Sequence, residues 1–312
     1  MRRWLVIANP TAGGGRAGRR LPALLQALRT QGLSFDVVQT SAAADAAELA
    51  RRTASQCDGM LAVGGDGTVH EIVNGLSLER PPLLAIAPYG TGNDFARGLG
   101  LPTNPDKIAT LMARARIQQL PIGEVRYSAT SGEHTRRFIN GTGLGLDAAV
   151  LERLPGHGPR ALAYLVGTLR TLWRFRARDA SICLDGQLLT GRYLLLYAGL
   201  GTRAGGGMQL TPHAGQHTGK LAITLVPEAP LRKILAFLPA LYRGTLDRTD
   251  GLTCTHATRL QINAAHFRLE ADGQLLGTGP VEIYVRPERL SVIARLGPEA
   301  DNEDDPPLAD AP

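Results

Sequence analysis

Cysteine is scarce in this chain. Cys57, Cys183 and Cys254 lie far apart, and none sits in a paired metal-ligand spacing. That usage fits a reduced, cytoplasmic setting. Long apolar runs are missing too. Nothing approaches the roughly 20 consecutive apolar residues of a membrane-spanning helix. The apolar start, Trp4-Leu5-Val6-Ile7-Ala8, is too short for a signal sequence and leads into a loop, so it reads as a first strand. A soluble or membrane-peripheral chain is expected. Aromatic residues make up only 5% of the sequence and the positive charge is scattered, so no nucleic-acid partner is expected. A GxxxxGK[ST] motif is absent, which excludes a Walker-type phosphate site.

What is present is enough for two domains: 312 residues, 44% hydrophobic and 20% charged. The net charge of +6 hides an asymmetry. Residues 299–312 hold six acidic side chains and no Lys or Arg, which leaves +12 on residues 1–298. A basic body favours anionic partners, lipid headgroups and nucleotides among them. The acidic, proline-containing end, 297–312, reads as a disordered, solubilising tail.

Two glycine-rich turns carry the chemistry. Gly64-Gly65-Asp66-Gly67-Thr68 follows the apolar run Met60–Val63, and Gly90-Thr91-Gly92-Asn93-Asp94 follows Leu83–Ala87. Glycine lets backbone amides approach an anion closely, which suits a turn that cradles phosphates. An aspartate in such a turn is placed to hold a metal-bound water or to take a proton from an attacking hydroxyl. Two such turns at strand ends point to phosphoryl transfer. Thr68 and Asn74 read as helix-capping and packing residues.

Residues 1 to about 120 alternate strands and helices, the pattern of a parallel sheet with crossover helices. Ligands on such sheets bind beyond the carboxyl ends of the strands, where these loops fall. From about residue 121 short alternating segments predict antiparallel β structure, as in Lys220–Val226 and Thr258–Asn263. Two basic amphipathic helices interrupt it, over residues 160–178 and 231–243. Each can pack an apolar stripe on the sheet, and each also suits docking on an anionic membrane surface.

Taken in order, Asn9-Pro10 before a Gly-rich loop, the 64–68 turn and Gly90–Arg97 resemble the diacylglycerol kinase catalytic superfamily. Asn140-Gly141 with Gly143 and Gly145, Gly205-Gly206-Gly207-Met208 and Asp272-Gly273 fit as well. That superfamily takes in bacterial lipid kinases and the sphingosine and ceramide kinases. The resemblance implies a nucleotide-binding α/β domain of Rossmann-like type over 1–122 and a mainly antiparallel β-sandwich lipid-substrate domain over 123–288. It also implies a last strand, about 289–296, returning to the first domain. It further implies an ATP- and Mg²⁺-dependent lipid kinase acting on diacylglycerol or a related glycerolipid or sphingolipid. Such a chain would work at the inner face of a membrane, with a homodimer left open. Carried across, Asn9, Thr40, Gly64, Gly65, Asp66, Gly67, Thr68, Val69, His70, Glu71 and Thr91 would surround ATP. Asp66, Asp94 and Gln274 would stand at the catalytic positions.

Two departures from the family pattern matter. Where the family carries Asp-Gly-Glu, this chain has Asp272-Gly273-Gln274, and an amide cannot act as a base at neutral pH. Glu270, four residues earlier, shares the strand parity of Gln274, which makes it a conjectural substitute. The family also places a structural-Mg²⁺ aspartate where Thr218 stands, and threonine is a poor ligand for a hard cation. His213 and His217 read as loop histidines. Two alternatives stay open: a weakly catalytic or non-catalytic nucleotide- and lipid-binding protein, or a kinase of a soluble acceptor such as NAD.

Overall fold

The structure, a computed structural model, describes residues 2–42, 44–114, 116–129, 132–152, 175–215, 219–264 and 267–294. The amino-terminal half runs β1 (Arg3–Ala8), α1 (Ala12–Thr30), β2 (Ser34–Gln39), α2 (Asp45–Thr53), β3 (Gly59–Gly64), α3 (Asp66–Gly75), β4 (Leu83–Pro88), α4 (Asp94–Gly98) and α5 (Pro105–Arg114). β3 and β4 are buried at every residue, which is why they read as unbroken apolar runs instead of alternating ones. The strands are parallel, with β1 between β2 and β3 and β4 beyond β3. One face is covered by α1 and α5, through Leu21, Leu24, Leu28, Ile108 and Met112. The other is covered by α2, α3 and α4, through Ala50, Val69, Ile72 and Phe95. Chain direction switches sides at β1 and β3, so a crevice opens beyond their carboxyl ends.

The second half is a β-sandwich built from β5 (Ile117–Ala129), β6 (Gly132–Phe138), β7 (Gly141–Gly145), β8 (Arg178–Leu184) and β9 (Gln187–Gly199). It continues with β10 (Leu221–Pro227), β11 (Thr253–Ala257), β12 (Arg259–Asn263), β13 (Arg268–Ala271), β14 (Gln274–Thr278) and β15 (Val281–Ile293). Two helices interrupt these strands, α6 (Leu146–Leu151) and α7 (Leu231–Arg243). The pairings within the sandwich are antiparallel. Strand alternation supplies the core. In β12, Leu260 and Ile262 point inward while Arg259, Gln261 and Asn263 face out, and the inward set meets Val125, Phe138, Ile182, Ile223 and Ile283.

β5 and β15 belong to both cores. Leu120 and Ile122 pack in the α/β layer and Val125 in the sandwich. The end of β15 lies parallel to β4 at Val292 and Leu84. The helix expected over 160–178 is overrun at its end: residues 175–177 are irregular and Arg178 opens β8, because that stretch pairs with Tyr193 and Arg192. Its portion 160–174 lies outside the described residues, as do Thr218, His217 and the acidic tail 297–312.

Candidate active site

The two glycine-rich turns meet backbone to backbone. A Cβ on Gly90 would come within 2.3 Å of the Gly65 Cα, so no side chain fits between them. Tyr89 N and Gly90 N both donate to the Gly64 carbonyl, at 2.8 and 2.9 Å. Asn93 holds the second turn shut: its Oδ1 accepts from Gly90 N at 3.0 Å, and its Nδ2 donates to the Pro88 and Gly90 carbonyls. Thr68 lies inside α3, buried, and its side chain fills the space beside Gly64. It packs and does not cap. Asn74 lashes α3 to β6 by bonding the Arg137 amide and carbonyl.

This arrangement brings two carboxylates together. Asp66 opens α3 and Asp94 opens α4. Asp66 Oδ1 accepts from Phe95 N at 3.2 Å, so the first turn's acid anchors the second turn's helix. Asp94 Oδ2 accepts from Gly206 N at 2.7 Å, which ties the site to the 204–208 turn. Burial, and then the nearby charge of Asp94, push the Asp66 carboxyl up to about 6, against the pull of the Phe95 amide. A carboxyl near that value is charged at neutral pH yet basic enough to accept a proton.

From the sandwich side comes a hairpin. Asp272 and Gly273 both have positive φ, 46° and 80°, and form a two-residue turn between β13 and β14. Asp272 Oδ1 accepts from Asn140 N and Gly141 N, and Oδ2 accepts from Ile139 N. His70 Nδ1 and Asp272 Oδ2 share a hydrogen bond at 3.0 Å. Helix α3 and strand β7 are therefore joined through one buried carboxylate. Below it, Asp147 and Glu270 hydrogen-bond each other. Burial raises both carboxyls, Asp147 to about 6 and Glu270 well above the usual carboxylate range, so the pair favours holding a proton between its two members.

The hairpin corrects the parity argument for Glu270. Gln274 lies opposite Ala271, and Glu270 opposite Leu275, so Glu270 and Gln274 point to opposite faces. The turn at Asp272-Gly273 interrupts the alternation that a continuous strand would keep. Glu270 is buried, and its carboxyl is taken up by the Gly273 amide and Asp147. Gln274 Oε1 instead accepts from Arg136 Nη2 at 3.2 Å.

The remaining sequence-derived residues spread around the crevice. Asn9, just past β1, takes the Thr11 amide and hydroxyl on its Oδ1 and shapes the loop into α1. Gly13, Gly14 and Gly15 follow with φ of 62°, 65° and 81°, a run of left-handed residues that turns successive N–H groups to one side. Thr40 follows β2, its amide bonded to the Ala8 carbonyl. Gly67 and Glu71 are half-buried on α3, and Thr91 is exposed on the second turn. Val69 packs in the core and His70 is fully buried, so only their backbones can face a nucleotide. Arg16 was not singled out, although its Nη1 reaches the Gly90 carbonyl across the same crevice. Asp272 and Gly206 lie in motifs that carry the family resemblance but have no role assigned from sequence, and Asp147 has no local signal beyond a glycine two residues before it.

Comparison with known proteins agrees with this geometry. The family described as Diacylglycerol kinase catalytic domain matches residues 3–125. The YegS C-terminal NAD kinase beta sandwich-like domain matches residues 142–294. A Bacillus subtilis (strain 168) protein named diacylglycerol kinase is 30% identical over 289 residues, covering 90% of this chain and 93% of its own. A solved structure of a candidate diacylglycerol kinase from Bacillus anthracis str. Sterne superposes with a TM-score of 0.80 at 27% identity, covering 95% and 96% of the two chains. Yeast NADH kinase shares the fold alone, with a TM-score of 0.56 at 12% identity over 95% of this chain and 84% of that one.

Proposed function

The chain belongs to the diacylglycerol kinase family, and from that premise we propose that it transfers the γ-phosphoryl group of ATP to the hydroxyl of diacylglycerol or a related glycerolipid or sphingolipid. Residues 1–122 would serve the nucleotide and 123–288 the lipid, at the cytoplasmic face of a membrane. Among the described residues no helix is long and apolar enough to cross one. The observation that carries the reading is the meeting of Asp66 and Asp94 at the ends of β3 and β4, beside glycine amides, with Asp66 raised to about 6.

In this reading the amides of Gly13 and Gly14 and of the 64–67 turn receive the phosphates, the Gly15 amide being held by the Thr11 carbonyl, and Arg16 adds a cation. Asp94 orients the acceptor. Asp66 takes the proton of the acceptor hydroxyl as that oxygen bonds the γ-phosphorus and the bond to the bridging oxygen of ADP breaks. The donors also suit Mg²⁺. Two carboxylates forced together by burial are relieved by a divalent cation. Among the described residues no cluster of three His, Cys, Asp or Glu could hold one alone, so the nucleotide phosphates would complete its shell. When bound, Mg²⁺ neutralises the charge that builds on the transferring group.

Gln274, neutral and engaged by Arg136, favours a second reading: a member that binds nucleotide and lipid with little or no turnover. Incubation with γ-labelled ATP, Mg²⁺ and vesicles carrying diacylglycerol, monoacylglycerol, sphingosine or ceramide separates the two, with Asp66→Asn as the blank. Label in one lipid from the wild type alone is the expected result. ATP binding without transfer to any acceptor favours the second reading, and label in NAD without vesicles favours a soluble acceptor.

A further inference from the structure

Helix α7 has two unlike faces. Inward, Phe237 and Leu241 are buried with Tyr197, Met208, Leu210 and Val226. Outward, Arg232, Leu235, Ala236, Pro239, Tyr242 and Arg243 are all exposed. At about 100° per residue these six fall within an arc of roughly 120°, one continuous stripe. Its middle is apolar, with Leu235 38% and Tyr242 41% exposed. Its two ends are guanidinium groups. Residues 231–243 contain no acid, and Arg232, Lys233 and Arg243 make no ion pair among the described residues. Single exposed apolar side chains are ordinary on a protein surface; a lined-up row between unpaired cations is not.

The helix is also wired to the site. Leu241 accepts from Gln209 N at 2.8 Å. Gln209 follows the turn closed by Ala204 and Met208, whose Gly206 amide holds Asp94. At 13 residues α7 is about 20 Å long, too short to span a bilayer and suited to lie along its surface.

We infer that the outer face of α7 is the surface by which this chain docks on an anionic lipid bilayer. Leu235, Ala236, Pro239 and Tyr242 enter the headgroup boundary, and Arg232 and Arg243 meet lipid phosphates. Docking there sets the bilayer beside the turn that positions Asp94, which shortens the path of a lipid into the crevice. The inference rests on the lipid-kinase reading for its purpose but not for its test.

Full-length wild type, Leu235→Ser/Tyr242→Ser and Arg232→Glu/Arg243→Glu are sedimented with vesicles of phosphatidylcholine, with and without phosphatidylglycerol. Wild type is expected to bind the anionic vesicles in preference to the neutral ones. Each double variant is expected to bind them about 10-fold or more weakly, with unchanged thermal unfolding. On a short-chain diacylglycerol dispersed below its aggregation threshold, the variants are expected to keep wild-type turnover while losing it on vesicles. Binding of both variants equal to wild type overturns the inference. So does a wild-type dimer that becomes monomeric in the variants without loss of vesicle binding, which would make this face a subunit contact. Absent kinase activity in every form, with the binding difference intact, counts against the enzymatic reading and leaves the docking surface standing.

Discussion

Asp66 answers two opposed demands, since burial favours its neutral form and catalysis needs its charged one. Burial and the charge of Asp94 push its carboxyl up to about 6, against 3.8 for an aspartate free in water, so folding prefers the proton. The stability this gives is complete below pH 3.8 and is lost as pH rises through about 6. Asp66→Asn has no charge to bury. It is expected to abolish phosphoryl transfer yet raise stability at pH 8 by about 1–3 kcal/mol, with little gain at pH 4. Thermal melts at the two pH values check this, and a lower Tm at pH 8 would contradict it. In the wild type, kcat/KM is expected to climb through a limb near pH 6. Gln274 poses the complementary question. Its partner Arg136 has an Nε with no hydrogen-bond partner among the described residues, and a glutamate offers a second oxygen for a forked contact. A carboxylate there would restore the acid of the family's Asp-Gly-Glu and support Asp66 as proton acceptor, so Gln274→Glu is expected to raise kcat by about 10-fold. Steady-state rates on the labelled lipid measure it, and a fall would mean the site is built around the amide.

At the scale of elements, the site depends on two turns that touch through glycine. Gly90→Ala sets a methyl group 2.3 Å from the Gly65 Cα, with the Gly65 amide and Asn93 Oδ1 at 2.9 Å. All but the last are backbone, so the turns must separate and Asp94 must leave Asp66. The expected result is a kcat loss of about 100-fold or more, because misplacement by an ångström has that scale. A melt that stays cooperative separates this from unfolding. Both turns were legible in the sequence because each is a local event: an apolar strand, then glycines, then an acid opening a helix. The partners of those acids were not. Asp94 meets Gly206 across 112 residues, and His70 meets Asp272 across 202. Nothing within a window of either residue encodes such pairings. The Glu270 parity failed for a related reason, since a two-residue turn reverses the strand and no alternation survives it. Helix α7 was visible as a basic amphipathic stretch, but which of its side chains stay uncovered depends on β9, β10 and the 204–210 segment packing on the other side.

At the scale of the molecule, the two layers are not beads on a linker. β5 and β15 pair antiparallel from Ile117 and Ile293 at one end to Tyr127 and Val281 at the other, and so run through both cores. The ladder breaks between Val285 and Arg289, near the passage from one core to the other. There Arg286 bridges Glu124 and Glu288, at 2.7 Å to each. Glu124 is only 5% exposed, and Tyr284 also donates to it. Each half thus shares strands whose loss would open the other, and an ion-paired bulge fills the seam. Calorimetry at pH 7 is therefore expected to give one cooperative transition for the described body, although sandwich and α/β layer have separate apolar clusters. Arg286→Met leaves the Glu124 charge buried with a hydroxyl as its remaining partner. Breaking one side of a buried pair costs on the order of 3–5 kcal/mol; Arg286 keeps partial exposure, so the lower end of that range is expected here, with a lower Tm. The variant transition should broaden or split, because the seam is where the layers can part. Two resolved transitions already present in the wild type would mean that β5 and β15 do not couple the halves. The crevice would then lie between bodies that unfold independently.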